Sequence, residues 1–203
     1  MDAPHAAILG AGIRDRALEL GFEAVGITPL GPSDHAAVYR AWIARGLHGE
    51  MRYLAREDAV GARLEPRTRW PELRSAVVVA HHYAPPMPAA PPAAAPGEAG
   101  GAAEADAPVR TALGDPGTGI IARYARGRDY HKVVKKKLMA LLRWVEEEIG
   151  QALPMARAYV DTGPILEREL GQRAGLGWFG RNTMLIDPRR GSYFFLGELL
   201  LPF

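Results

Sequence analysis

Between Ala84 and Thr118 the chain turns abruptly to proline, alanine and glycine, and eight of its seventeen prolines fall there. A stretch of that kind cannot bury enough apolar area to offset its ordering entropy. A structured loop of such length would also be out of place inside a compact domain. The reading is a disordered insertion, and any core must then be assembled from residues 1–83 and 119–203 as one domain. The 203 residues suffice for a substantial core.

Within those two segments, hydrophobic periodicity marks the elements. Ala6 to Leu20 has helical spacing and stops at Gly21, and Phe22 to Ile27 reads as a strand. Ser33 or Asp34 is placed to cap a helix running to Arg45, Gly46 ends it, and Met51 to Arg56 reads as a short helical turn. Ser75 to Tyr83 is β-branched, as expected of a central strand. After the insertion, Gly119 to Tyr124 reads as a strand. Asp129 to Ile149 is the strongest helix, with Tyr130, Val134, Leu138, Leu141 and Val145 on one face. Met155 to Val160 reads as a strand, and Ile165 to Ala174 as a helix with Pro164 suited to its first position. Thr183 to Ile186 and Ser192 to Leu200 are expected to pair across the turn Asp187-Pro188-Arg189-Arg190-Gly191. These elements imply an α/β (α+β) sandwich with a mixed, largely antiparallel sheet flanked by helices.

Composition excludes several classes. A formal charge of +2 does not by itself argue for nucleic acid. No apolar run approaches the roughly 20 residues of a membrane helix, and Met1-Asp2-Ala3-Pro4-His5 lacks the order of a secretion signal. A cytoplasmic protein is expected. There is no cysteine, so disulfides and thiolate-held metals are excluded.

The last third holds the chemistry. Val160-Asp161-Thr162-Gly163-Pro164-Ile165-Leu166-Glu167-Arg168 puts a carboxylate at a chain reversal, and Gly175-Leu176-Gly177-Trp178-Phe179-Gly180-Arg181-Asn182-Thr183 follows with bare backbone and flat aromatic faces. With Arg123-Tyr124-Ala125-Arg126-Gly127-Arg128-Asp129-Tyr130-His131-Lys132, Gly191-Ser192-Tyr193-Phe194-Phe195-Leu196-Gly197-Glu198, Gly49-Glu50-Met51 and the strand Ala76 to Ala80, the order of motifs resembles the amino-terminal, cobalamin-binding part of the epoxyqueuosine reductase family.

That resemblance implies a cytoplasmic oxidoreductase of queuosine biosynthesis, which reduces epoxyqueuosine to queuosine at the tRNA wobble position. It implies cobalamin bound base-off over the sheet, a fold related to flavin nitroreductases and corrinoid-processing proteins, and two 4Fe-4S clusters supplying electrons. Such clusters require cysteine runs, which this chain lacks. The expectation is therefore a cofactor-binding half, truncated or one partner of a split system, inactive alone and dependent on an iron-sulfur electron-donor protein.

By the same resemblance Asp161 is the proton donor, and Arg63, Tyr130, His131, Gly180, Arg181, Asn182, Thr183, Leu185 and Phe194 line the cofactor. The residues alone leave other readings open. Asp161 also suits a helix N-terminal cap. His131 suits a helix surface, and the near-match Asp129-Tyr130-His131-Lys132-Val133-Val134 to a cobalt-ligating pattern has Val134 where glycine is needed, so His131 is not taken as a cobalt ligand. Trp178, Phe179 and Phe194 suit core packing. The basic run Arg123, Arg126, Arg128, Lys132, Lys135, Lys136 and Lys137 either contacts tRNA weakly or is the wet face of a helix. The alternative functions are a non-catalytic corrinoid-binding module or carrier and, less favoured, a nitroreductase-like flavoprotein.

Overall fold

The structure is a computed structural model that describes residues 3–83 and 121–203. The Ala84 to Thr118 insertion expected from composition lies outside the described residues. Element order is α1 (Ala3–Glu19), β1 (Ala24–Pro29), α2 (Ala36–Ala44), a 3-10 turn (Arg52–Leu54), α3 (Glu57–Leu64), α4 (Pro66–Arg69) and β2 (Ser75–His82) in the first segment. The second segment has a 3-10 turn (Arg123–Ala125), α5 (Tyr130–Ile149), β3 (Arg157–Tyr159), α6 (Glu167–Arg173), β4 (Trp178–Phe179), β5 (Leu185–Ile186) and β6 (Phe194–Leu201).

Four strands form one sheet in the order β1-β2-β6-β3, and every pairing is antiparallel. The first segment thus contributes one edge and the second the other, joined where Val78 faces Glu198. Strand side chains alternate between faces, so β2 splits its apolar run in two. Val77 and Val79, with Leu199 and Leu201 of β6, meet Ile13 and Ala17 of α1 and Val134, Leu138, Leu141 and Val145 of α5. Ala76, Val78, Ala80 and Leu200 meet Ala62, Trp70, Leu73, Ile165, Leu170, Leu176 and Leu185 on the opposite face. Both faces are covered, which is why β2 and most of β6 read as unbroken apolar runs rather than alternating ones. Gly197 lets α5 lie close to β6, since a Cβ there would stand 2.8 Å from Val134 Cγ1.

α5 is bounded as its sequence dictates. The Asp129 carboxylate accepts the His131 backbone N–H, and Gly150 closes the helix at φ 64°. Other boundaries differ from expectation. The described part of the Gly119 to Tyr124 stretch is no strand: it leads into the 3-10 turn, where Arg126 Nε donates to the Ile121 carbonyl at 2.8 Å, and among the described residues no strand pairs with it. Neither Ser33 nor Asp34 caps α2. Ser33 Oγ instead accepts the His35 N–H, and it donates to Glu169.

The helix expected at Pro164 begins only at Glu167, because Ile165 is drawn into the core. The hairpin expected between residues 183–186 and 192–200 is also absent. β5 pairs with β4, while β6 lies between β2 and β3 and leaves only the Asp187–Gly191 bridge at the turn. Burial decided this, since an apolar strand such as β6 gains far more with neighbours on both edges than in an isolated hairpin. Among the described residues no helix is long and apolar enough to cross a membrane.

Candidate active-site cleft

A cleft of about 1160 Å³ opens on the side of the sheet covered by α3 and α6. One wall is aromatic, with Tyr39 and Trp42 of α2 and Tyr53 of the first 3-10 turn. A second carries Arg56, Arg63 and Arg69, and the third is the chain from Asp161 to Glu169 with Phe179, Gly180 and Thr183. Arg56 is engaged bidentately by Asp58 at 2.7 and 3.0 Å. Arg63 gives one N–H to the Ala59 carbonyl at 3.2 Å, leaving further guanidinium donors for a ligand.

Asp161 stands at the lip. β3 ends just before it, and the Thr162 N–H closes on the Val160 carbonyl at 2.7 Å. Asp161 itself adopts φ 60°, a left-handed conformation that aspartate tolerates better than most residues. Its side chain is 63 % exposed, so the carboxylate is available to a ligand. It does not cap a helix. Its Oδ2 accepts the Tyr130 hydroxyl at 2.7 Å, and its backbone N–H donates to Glu167 Oε1 at 2.6 Å.

Tyr130 is fixed for this purpose. Its ring stacks on Phe195 with centroids 3.8 Å apart and on His131 at 4.0 Å. Burial, reinforced by the Asp161 carboxylate, pushes its phenol well above the ordinary range, so it remains a donor. His131 Nδ1 is held by Asp129 at 3.0 Å, and its Nε2 lies 3.9 Å from Asp161 Oδ2.

The remaining expected residues divide. Gly180 and Thr183 line the cleft with Arg63 and Asp161. Thr183, at φ 66°, donates its N–H to the Gly180 carbonyl and accepts from Arg168. Arg181 and Asn182 are exposed beyond the rim, with Asn182 Oδ1 accepting the Met184 N–H at 3.1 Å. Leu185 is 2 % exposed and its side chain is spent on the core. Phe194 packs against His82 with centroids 5.2 Å apart. The glycine-rich turn owes its bareness to packing within the protein: a Cβ on Gly177 would collide with the Ile186 carbonyl, and one on Gly180 would lie 2.5 Å from Ile186 Cδ1.

Four residues escaped the sequence reading. His35 faces the cleft, edge-on to Phe179 at 5.4 Å. Behind it Glu169, 4 % exposed, accepts from Ser33 Oγ at 2.7 Å and the Asp34 N–H at 2.8 Å and meets His35 Nδ1 at 3.1 Å. No local pattern links positions so far apart in sequence. Beneath Asp161 lie Glu167 and Glu198, and Glu198 did leave a signal as the one charge in the apolar run Phe194–Leu201.

A family model described as epoxyqueuosine reductase QueG, DUF1730, matches residues 63–162. The epoxyqueuosine reductase of Vibrio cholerae is 39 % identical over 189 residues, which are 93 % of this chain and 45 % of that protein. A solved epoxyqueuosine reductase from Bacillus subtilis, described with its catalytic aspartate loop swung out of the active site, superimposes with a TM-score of 0.67. It is 25 % identical, over 97 % of this chain and 46 % of that one. Another, bound to a tRNA-Tyr stem loop modified with epoxyqueuosine, shares the fold at TM-score 0.67 and 24 % identity, over 97 % of this chain and 46 % of that one. The chain spans a little under half the length of the curated relatives it matches.

Proposed function

From the chain's similarity to epoxyqueuosine reductases, we propose that it belongs to that family and is the cobalamin-binding part of an enzyme that reduces epoxyqueuosine in tRNA to queuosine. The observation that carries this reading is the placing of Asp161. Its exposed carboxylate is held by the Tyr130 hydroxyl at the lip of a cleft large enough for a macrocycle. The walls suit a corrinoid, with the flat faces of Tyr39, Trp42 and Phe179 to lie against and Arg63 offering guanidinium donors to amide side chains. Bound there, reduced cobalamin would supply the electrons of the reduction, in which the epoxide oxygen takes up protons and leaves as water.

The chain's own residues serve the proton. Asp161 acts in its protonated form, delivering the proton of its carboxyl to the oxygen released from the ring. Tyr130 holds the carboxyl in one orientation at the cleft lip. Electrons come from outside the chain, which has no cysteine to ligate a cluster; an iron-sulfur partner or a further region of the same protein supplies them. The basic residues Arg123, Arg126, Arg128 and Lys132 lie around the start of α5 near Tyr130 and contribute to holding tRNA phosphates.

Anaerobic titration with cob(II)alamin tests the binding half of this proposal, with Arg63→Ala as the comparison. A saturable change to a base-off spectrum, weakened in Arg63→Ala, is expected. Absence of any binding would overturn it. In a complete reductase Asp161→Asn should retain cobalamin and lose turnover, and normal turnover would refute the proton-donor role.

A further inference from the structure

β6 is apolar from end to end except at one position. Glu198 is wholly buried in the centre of the sheet, opposite Val78 of β2 and Tyr159 of β3. No donor among the described residues reaches either of its oxygens. What its carboxyl meets is another carboxyl, that of Glu167 at the start of α6. Two ionised carboxylates in such a place repel, and the contact becomes a hydrogen bond only when one of them carries a proton.

The other side of Glu167 faces the cleft lip. Its Oε1 accepts the Asp161 N–H at 2.6 Å, across the residue whose φ is 60°. The groups around it are Asp161 from the loop after β3, Tyr130 from α5, Glu198 from β6 and its own neighbour Arg168. Arg168 is turned away to the Thr183 carbonyl. The surroundings are therefore acidic, with the phenol donating to Asp161 and not to Glu167.

We infer that Glu198 is held protonated and donates to Glu167, and that the two carboxyl groups form a strut which positions the Asp161 turn at the cleft. Glu167 and Glu198 are positioning residues, acting through Asp161 and not on a ligand. Burial acts in the same sense on both, pushing Glu167 up to about 7 and Glu198 well above the carboxylate range. Glu198 is the more buried of the pair and keeps its proton, while Glu167 ionises first and accepts from both sides. The link to turnover rests on the reading of Asp161 as proton donor; the strut itself does not.

The test is therefore made on the chain without cofactor, by following the Asp161 backbone amide in proton–nitrogen NMR spectra from about pH 5 to about pH 9. In the parent the amide should titrate with Glu167, with a midpoint near 7. Glu167→Gln should abolish that titration. Glu198→Gln, a neutral donor of the same shape, should leave the midpoint in place, whereas Glu198→Leu, which cannot donate, should move it to higher pH by about tenfold in proton affinity or more. An amide indifferent to pH would overturn the inference. So would a Glu198→Gln midpoint displaced towards acid, which would mean that Glu198 had been charged. Should Glu198→Leu fail to fold, the parent and the two glutamine variants decide between these outcomes. Failure of cobalamin to bind would leave this result unchanged, so the two proposals fail separately.

Discussion

Replacing Glu167 by Gln should make the protein more stable than its parent in alkali, and no more stable in mild acid. Burial, with the Asp161 charge adding to it, raises the Glu167 carboxyl from its ordinary 4.5 to about 7. An acid whose pKa is higher in the folded state binds more protons folded than unfolded between those two values. Stability therefore falls as pH climbs through that window, and stays low above it. At about 1.4 kcal/mol for each tenfold change in proton affinity, the loss attributable to Glu167 is about 3 kcal/mol. Glutamine removes it at little cost elsewhere, since its amide oxygen can still accept the Asp161 N–H. Urea unfolding of both proteins at about pH 5, 7 and 8.5 measures the gap between them. His82, whose ring is pushed below its usual range by burial, gives the opposite slope, but it does so in both proteins and cancels. A gap that stays constant with pH, or one that favours the parent in alkali, would refute the reasoning.

Tyr130→Phe keeps the stack on Phe195 but loses the hydroxyl that orients Asp161. It should cost about 1 kcal/mol or less in unfolding free energy, yet lower turnover of a complete reductase with cobalamin affinity retained. Glu169→Leu removes the buried acceptor shared by Ser33, Asp34 and His35, whose donors remain partly open to water. It should cost about 1 to 2 kcal/mol, read as a fall in the midpoint of thermal unfolding, with Glu169→Gln milder. Gly177→Ala places a methyl against the Ile186 carbonyl. It should break the β4–β5 pairing at a cost of about 2 kcal/mol or more, visible as lost amide-exchange protection at Trp178 and Ile186.

Where one face or one period governs, the sequence was a sufficient guide. α5 announced itself by Val134, Leu138, Leu141 and Val145, with its expected bounds of Asp129 and Ile149 close to those found. β2 was recognisable because burial on both faces leaves an unbroken run from Ala76 to Ala80. What failed were choices between partners. Whether Ser192 to Leu200 folds back on Thr183 to Ile186 or enters the main sheet depends on the area that Val77 and Val79 need covered, and local turn chemistry does not record that. The late start of α6 has the same origin, as the core claims Ile165. At the cleft, Asp161, Arg63, Gly180 and Thr183 come together. His35, Glu167 and Glu169 were invisible because each matters only through a residue distant in sequence or a backbone amide six positions away.

β6 joins β2 to β3, and among the described residues β3 pairs with no other strand. All of the sheet's other strands precede it along the chain, with β1 and β2 more than a hundred residues earlier. During synthesis the paired β1 and β2 must therefore wait, with the far edge of β2 unpaired, until Leu199 and its neighbours emerge. Long-range pairing of that kind is slow and leaves edges open to wrong partners. The same insertion carries Glu198 into the centre of the sheet, a passage easier for a neutral carboxyl than for a charged one. Refolding should accordingly run faster in mild acid than in alkali, with the rate-limiting step being the arrival of a single strand.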